Sequence, residues 1–385
     1  MRTRGLTAAL MSMLWISSSC GEPSSTTNGA EEGSGSADSS TSAPPPGTSS
    51  SATTPTPTTE PTPPPTTDKT SDDPEPVDLP DPSDSDPSDD ASDTGEPPVD
   101  GEPGVVRFAA FGDTGEGNEA QQMVANAAEV ICAERGCDFA LLLGDNFYDT
   151  GVTQTMDPQF IDKFEAPYEG LDIPFYVVLG NHDYGELASD WNRGNYQVEY
   201  STFSDKWVLP NFWYTFSSDS GGTQFFAFDT SRMMWNHDVN DQREWIAGQM
   251  AASTAYWKIG FAHHPYISNG RHGNAGRYEG IPGLPFVSGV EVQEFIDDFI
   301  CGEAQIYISG HDHNRQMFDP VCGTYFFVSG ASAKTSGLEN RDDNPTAWQD
   351  DTREGFLWVE IQGTQMTAAF YDFDANLDHE IIADL

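Results

Sequence analysis

The stretch that most constrains this chain is residues 139–148. There an apolar run, Phe-Ala-Leu-Leu-Leu, stops at Gly144 and gives way at once to Asp145, Asn146, Phe147 and Tyr148. A short apolar run bounded by glycine reads as a buried strand, and in an open parallel sheet ligands gather beyond the carboxyl ends of the strands. Asp145 and Tyr148 would then emerge together at a strand tip. The arrangement recurs. Residues 108–111 run into Gly112-Asp113-Thr114-Gly115, and 175–179 into Gly180-Asn181-His182-Asp183. Residues 258–262 run into His263-His264-Pro265, and 305–309 into Gly310-His311-Asp312-His313-Asn314. Five predicted strands thus end in residue types that bind metals.

Of the eight histidines, His182, His263, His264, His311 and His313 lie in or just beyond these motifs, and His272 follows closely. A single histidine at a strand end is ordinarily a hydrogen-bonded structural residue. A cluster of them beside Asp113, Asp145, Tyr148 and Asn181 points to metal binding or catalysis. The donors are carboxylates, imidazoles, an amide oxygen and a phenol, with no sulfur, which suits two borderline-to-hard cations such as Fe, Zn or Mn. One shared carboxylate would hold the ions about 3.5–4 Å apart, a spacing that clamps both the attacking and the leaving oxygen of a phosphoryl transfer.

The rest of the chain frames this cluster. Residues 1–20 have the look of an export signal: Arg2 and Arg4, an apolar core at 6–16 too short to span a bilayer, then small residues. Cys20 follows as a candidate lipidation site and membrane anchor, although Ser17 stands where an apolar residue is usual, and a plain signal peptide with an incidental cysteine is the alternative. The expected location is therefore outside the cytoplasm, either lipid-anchored at the cell surface or secreted. Residues 21–104 are dominated by Ser, Thr, Pro, Asp and Glu, with Lys69 the only basic residue and no aromatics. Such a segment cannot bury enough apolar surface to fold and reads as an extended tether. Residues 105–385 alternate strand-like and helix-like segments, with helices expected at 118–134, 241–252 and 290–300. After Gly310 the pattern turns to strands at 325–329, 356–361 and 367–373, which suggests a second sheet packed on the first. With Cys20 set aside, Cys132, Cys137, Cys301 and Cys322 make an even set in an exported chain. The most local pairing joins Cys132 to Cys137 and Cys301 to Cys322, with a zinc-thiolate site as the alternative. Much of the formal charge of -45 sits in the tail and much of the rest reads as a solvated acidic surface, and no basic stripe offers a surface to nucleic acid. Oligomeric state has no signature in the sequence.

Taken in order, Gly-Asp-Thr-Gly, Gly-Asp-Asn-Phe-Tyr, Gly-Asn-His-Asp, Ala-His-His-Pro and Gly-His-Asp-His resemble the motif series of metallophosphoesterases. Tyr148 makes the second motif similar to that of purple acid phosphatases, above all the small mammalian tartrate-resistant type. The resemblance runs over most of residues 105–318. It implies an α/β fold of two mixed β-sheets packed as a sandwich and flanked by helices. It also implies a dinuclear metal centre. Asp113, Tyr148 and His313 would hold Fe(III), Asp145 would bridge, and Asn181, His263 and His311 would hold Fe(II), Zn or Mn. The implied reaction is hydrolysis of small phosphate monoesters by metal-bound hydroxide, with His182 contacting the phosphate and His272 as the leaving-group acid. His264 departs from the mammalian pattern, which has tyrosine there, and is either a contact to the ligand set or a packed ring. Two rivals remain: a phosphodiesterase of the same superfamily, and a non-catalytic phosphate- or metal-binding surface protein.

Overall fold

The computed structural model describes residues 104–385 except 186–189, 219–221 and 340–343. The export signal, Cys20 and all but the last residue of the tether lie outside the described residues. Among the described residues no helix is long and apolar enough to cross a membrane.

Among the described residues, fourteen strands form two seven-stranded sheets. In chain order they are β1 (Val105–Phe111), β2 (Phe139–Leu143), β3 (Phe175–Val178), β4 (Trp207–Val208), β5 (Tyr214–Ser217), β6 (Thr223–Ala227) and β7 (Trp257–Phe261). They continue with β8 (Ile306–Ser309), β9 (Arg315–Phe318), β10 (Tyr325–Ser329), β11 (Thr346–Asp350), β12 (Gly355–Gln362), β13 (Gln365–Asp372) and β14 (Leu377–Asp384). The first sheet runs β14-β13-β12-β1-β2-β3-β4 and the second β11-β9-β10-β8-β7-β6-β5. At the centre of the first, β1, β2 and β3 are parallel; at the centre of the second, β6, β7, β8 and β10 are parallel. Both mixed sheets therefore bring several carboxyl ends to one edge.

The inner faces of the sheets meet through aromatic rings. Phe108 and Phe139 stack 5.5 Å apart in the first sheet, and each meets Phe225 of the second edge-on, at 5.3 and 5.1 Å. Each such fully buried ring contributes about 2–3 kcal/mol by leaving water. Helix α1 (Glu119–Arg135) packs on β12 and β13, its start fixed by Asn118, whose side chain accepts the Gln121 N–H at 2.9 Å. On the far side, α4 (Val239–Ala252) and α5 (Val290–Phe299) bury Ile246, Val292, Phe295 and Ile296 against Phe228, Tyr307 and Phe326. Between α1 and α4 in the chain come two shorter helices, α2 (Asn192–Tyr200) and α3 (Thr230–Met234). The result is the sandwich of two mixed sheets flanked by helices.

The strands after Gly310 do not make up the second sheet by themselves. β9, β10 and β11 join the second sheet, whereas β12, β13 and β14 extend the first beyond β1. Each sheet thus takes strands from both halves of the chain. The reason lies in β1, whose free edge pairs antiparallel with β12 over six residue pairs. The strand ends also belong to two sheets rather than one: those of β1, β2 and β3 to the first, those of β7 and β8 to the second. Both expected disulfides are formed, Cys132–Cys137 and Cys301–Cys322, so these cysteines do not bind zinc.

Candidate metal centre

The five loops that follow β1, β2, β3, β7 and β8 converge at the shared edge of the sandwich, tied by short backbone bridges. Asp113 N–H donates to Gly144 O at 3.1 Å, and Gly310 N–H to His263 O at 3.0 Å. His311 N–H donates to Asp113 Oδ2 at 2.8 Å, which joins the two sheets across the site. The approach is close enough to require glycine. Gly144 has φ 88°, and a Cβ on Gly180 would collide with the Asp145 backbone and carboxylate. Asp113, Asp145 and His311 are themselves held at positive φ, a cost the loop packing must offset.

Every candidate ligand is brought to this place. The Tyr148 phenol oxygen lies 2.9 Å from Asp113 Oδ1, 2.9 Å from Asp145 Oδ2 and 3.1 Å from His313 Nε2. Beside this group is a second. His263 Nε2 lies 3.0 Å from Asn181 Oδ1, 3.1 Å from His311 Nδ1 and 3.5 Å from Asp145 Oδ1. Asp145 therefore turns one oxygen toward each group. In the run Gly-His-Asp-His the two imidazoles part, His313 to the first group and His311 to the second.

The chemistry of these donors fits two cations. A phenol has one proton and cannot donate to two carboxylates at once, so three oxygens and an imidazole in mutual contact are the arrangement of atoms sharing a positive ion. Asp113 and Asp145 are buried, and among the described residues their ion-pair partners are histidines alone. Burial and the Asp113 and Asp145 charges push the Tyr148 phenol well above its ordinary pKa, so it would ionise only with a cation among those oxygens. Burial alone would push the Asp145 carboxyl up, but His263 and His182 outweigh it and hold it below the usual carboxylate range. His263 Nδ1 faces Leu143 O at 2.9 Å; a carbonyl only accepts, so Nδ1 carries the hydrogen and Nε2 keeps its lone pair for a ligand.

Three histidines outside the ligand set are also here. His182 lies against the Tyr148 ring at 4.6 Å and donates from Nδ1 to Asp149 O at 2.6 Å, which leaves Nε2 available. His272 lies on the His311 ring at 4.2 Å, with Nδ1 in contact with Glu279. His264 covers the other side of His311 at 4.4 Å and is clamped at Nδ1 by Thr230 Oγ1 at 2.9 Å. Burial, then the neighbouring His263 charge, depresses the His264 pKa well below the imidazole range, so it packs as a neutral ring.

Four supporting residues went unassigned in the sequence. Asp183 and Asp312 sit inside quoted motifs, but a buried acceptor and a ligand are the same letter there. Asp183 accepts from five N–H groups, those of Gly180, Asn146 (backbone and side chain), Phe147 and Gln197, at 2.8–3.2 Å. Lys334 places its ammonium 3.3 Å from the Tyr148 ring centre while pairing with Glu116 at 2.5 Å, and Glu279 holds His272. Both lie in loops without a motif.

The family described as calcineurin-like phosphoesterase matches residues 106–315. Human tartrate-resistant acid phosphatase type 5 is 27% identical over 310 residues, covering 71% of this chain and 89% of its own. Purple acid phosphatase 3 of Arabidopsis thaliana is 26% identical over 306 residues, 72% of this chain and 77% of its own. Two solved structures share the fold. GAP50, the anchor in the inner membrane complex of Plasmodium, has a TM-score of 0.60 at 21% identity, covering 73% of this chain and 89% of its own. A purple acid phosphatase from yellow lupin (Lupinus luteus) seeds has a TM-score of 0.56 at 18% identity, covering 73% and 54%. This chain belongs to the calcineurin-like phosphoesterase family and is similar, within it, to the purple acid phosphatases.

Proposed function

We propose that the protein is a metal-dependent acid phosphatase. It hydrolyses small phosphate monoesters, so that water and the ester become an alcohol and inorganic phosphate. The observation that carries this reading is the divided Asp145 carboxylate, one oxygen beside Tyr148 and the other beside His263. Asp113, Tyr148 and His313 would hold the harder ion, Fe(III), and Asn181, His263 and His311 the second, Fe(II), Zn or Mn, with Asp145 shared. Bound there, the ions would supply positive charge for the phosphate and water activated at acid pH.

The remaining roles fall to the chain. Asp183 and the backbone bridges hold the loops so that donors need not reorganise during the reaction. His182, with Nδ1 committed to Asp149 O, presents Nε2 to a phosphate oxygen. His272 gives a proton to the departing alcohol oxygen. The export-like start of the sequence supports a location outside the cytoplasm, either lipid-anchored through Cys20 or secreted.

The test is turnover by the purified, iron- and zinc-loaded protein on an aryl phosphate monoester and its matching diester from acid to neutral pH. Faster monoester hydrolysis at acid pH is expected. Preference for the diester makes the protein a phosphodiesterase instead. No turnover on either, with both metals present by elemental analysis, refutes catalysis and leaves a binding protein.

A further inference from the structure

Resting on the monoesterase reading, we propose that Glu279 is a positioning residue for His272, fixing the imidazole so that Nε2 faces the alcohol oxygen leaving phosphorus. Glu279 is joined to His272 twice. Its carboxylate contacts His272 Nδ1, and its backbone N–H donates to His272 O at 3.0 Å. It does so from the left-handed region, at φ 57° and ψ 19°, where residues other than glycine, asparagine and aspartate are uncommon. On the other side, His272 N–H donates to Asp312 Oδ1 at 2.9 Å. Asp312 is fully buried between His311 and His313 in the chain and also accepts from Ser268 Oγ. The backbone of His272 is thus tied to the loop that carries two candidate ligands, and its ring is tied to Glu279.

This fixes the chemistry of the ring. A carboxylate only accepts, so Nδ1 carries a hydrogen toward Glu279. Nε2, the other ring nitrogen, has no protein hydrogen-bond partner among the described residues. The ring rests on His311, a candidate ligand, at 31° and 4.2 Å, which puts the imidazole beside the candidate metal centre. In the step itself the alcohol oxygen keeps the electron pair of the broken P–O bond and takes the Nε2 proton. The proton released by the attacking water restores the imidazole through solvent.

The experiment is a leaving-group series on the metal-loaded full chain, from p-nitrophenyl phosphate to alkyl phosphates, comparing wild type with Glu279→Asn and Glu279→Gln. Asparagine tolerates positive φ but is one methylene too short to reach Nδ1. Glutamine keeps both the length and an accepting oxygen. A nitrophenolate leaves without a proton, whereas an alkoxide needs one. Glu279→Asn should therefore stay within about threefold of wild type on p-nitrophenyl phosphate and lose roughly tenfold to a hundredfold in kcat/KM on alkyl esters. Glu279→Gln should keep the wild-type slope of log kcat/KM against leaving-group pKa. Equal losses on every ester, no loss at all, or the same steepening in Glu279→Gln would overturn the proposal. Wild-type protein that turns over no monoester refutes instead the reading beneath it.

Discussion

Replacing Asp183 with asparagine should loosen the candidate centre without touching a ligand. At pH 8 the native side chain is ionised, since burial and the Asp145 charge push its carboxyl up only to about 7. It then accepts all five N–H bonds. Three reach Oδ1, from Asn146 N, Phe147 N and Gln197 Nε2, and the Gly180 N and Asn146 Nδ2 hydrogens reach Oδ2, with Asn146 N near both. An asparagine must turn its NH2 toward one set. Either way two buried donors lose their acceptor: Gly180 N and Asn146 Nδ2, or Phe147 N and Gln197 Nε2. At about 1–3 kcal/mol for each orphaned donor, the cost is about 4 kcal/mol. In a domain of this size that is a drop in Tm of roughly 10 °C. Because Asp183 joins the Asp145–Tyr148 loop to the Asn181 loop, metal affinity should fall as well, by roughly 10–100-fold. Differential scanning calorimetry of the metal-free protein and isothermal titration with zinc measure the two effects separately. Unchanged Tm and unchanged zinc affinity in Asp183→Asn would refute the idea that this carboxylate sets the loop geometry.

Four further outcomes are expected. Asp229 is buried, and burial, opposed by Arg232 and Tyr184, raises its carboxyl from 3.8 to about 6. The folded state therefore holds this proton more tightly than the unfolded one, and its contribution to stability is lost as pH rises from about 4 to 6. Relative to Asp229→Asn, wild-type stability in urea titrations should fall by on the order of 3 kcal/mol across that window. Removing the Cys301–Cys322 bridge, which spans 21 residues, by double serine substitution should cost about 3 kcal/mol in the same assay. If Tyr148 is a ferric ligand, the iron-loaded protein should be coloured, and Tyr148→Phe should bleach it. Lys334→Met, which removes the cation over that ring, should shift the absorption band to longer wavelength; an unmoved band would mean the ammonium does not act on the phenolate.

The parts of this architecture legible in the sequence are those written in short, contiguous stretches. Each ligand motif follows an apolar run that can only be a buried strand, so Asp113, Asp145, Asn181, His263 and His311 could be placed at strand tips from order alone. Helix α1 was legible as a helical stretch at 118–134, and β10 through the four apolar or aromatic residues that precede Ser329. The sheet to which a strand belongs was not, because pairing such as β1 with β12 joins residues some 250 apart in the chain. Nor was β11, whose Thr-Ala-Trp-Gln-Asp sequence is half-exposed and has no apolar periodicity, or β4, which spans two residues. Helix α2, Asn192–Tyr200, has a glycine and few apolar residues, so no helical pattern marks it. Of the residues that shape the site, Glu279 and Lys334 act across distances that only the folded loops create.

The seam between the sheets has one more consequence. The first group of donors hangs on the ends of β1, β2 and β8, and the second on β2, β3, β7 and β8. Each group therefore takes donors from both sheets, so the room it leaves for an ion is a property of how one sheet lies on the other. The sandwich acts as a calliper, and the rings of Phe108, Phe139 and Phe225 are its jaws. Trimming Phe225 should alter the fit of both donor groups around an ion from deep in the interior. Loops on the rim, such as the one carrying Glu279, can vary without moving the sheets, so the surroundings of the site and the fit around an ion are free to change independently.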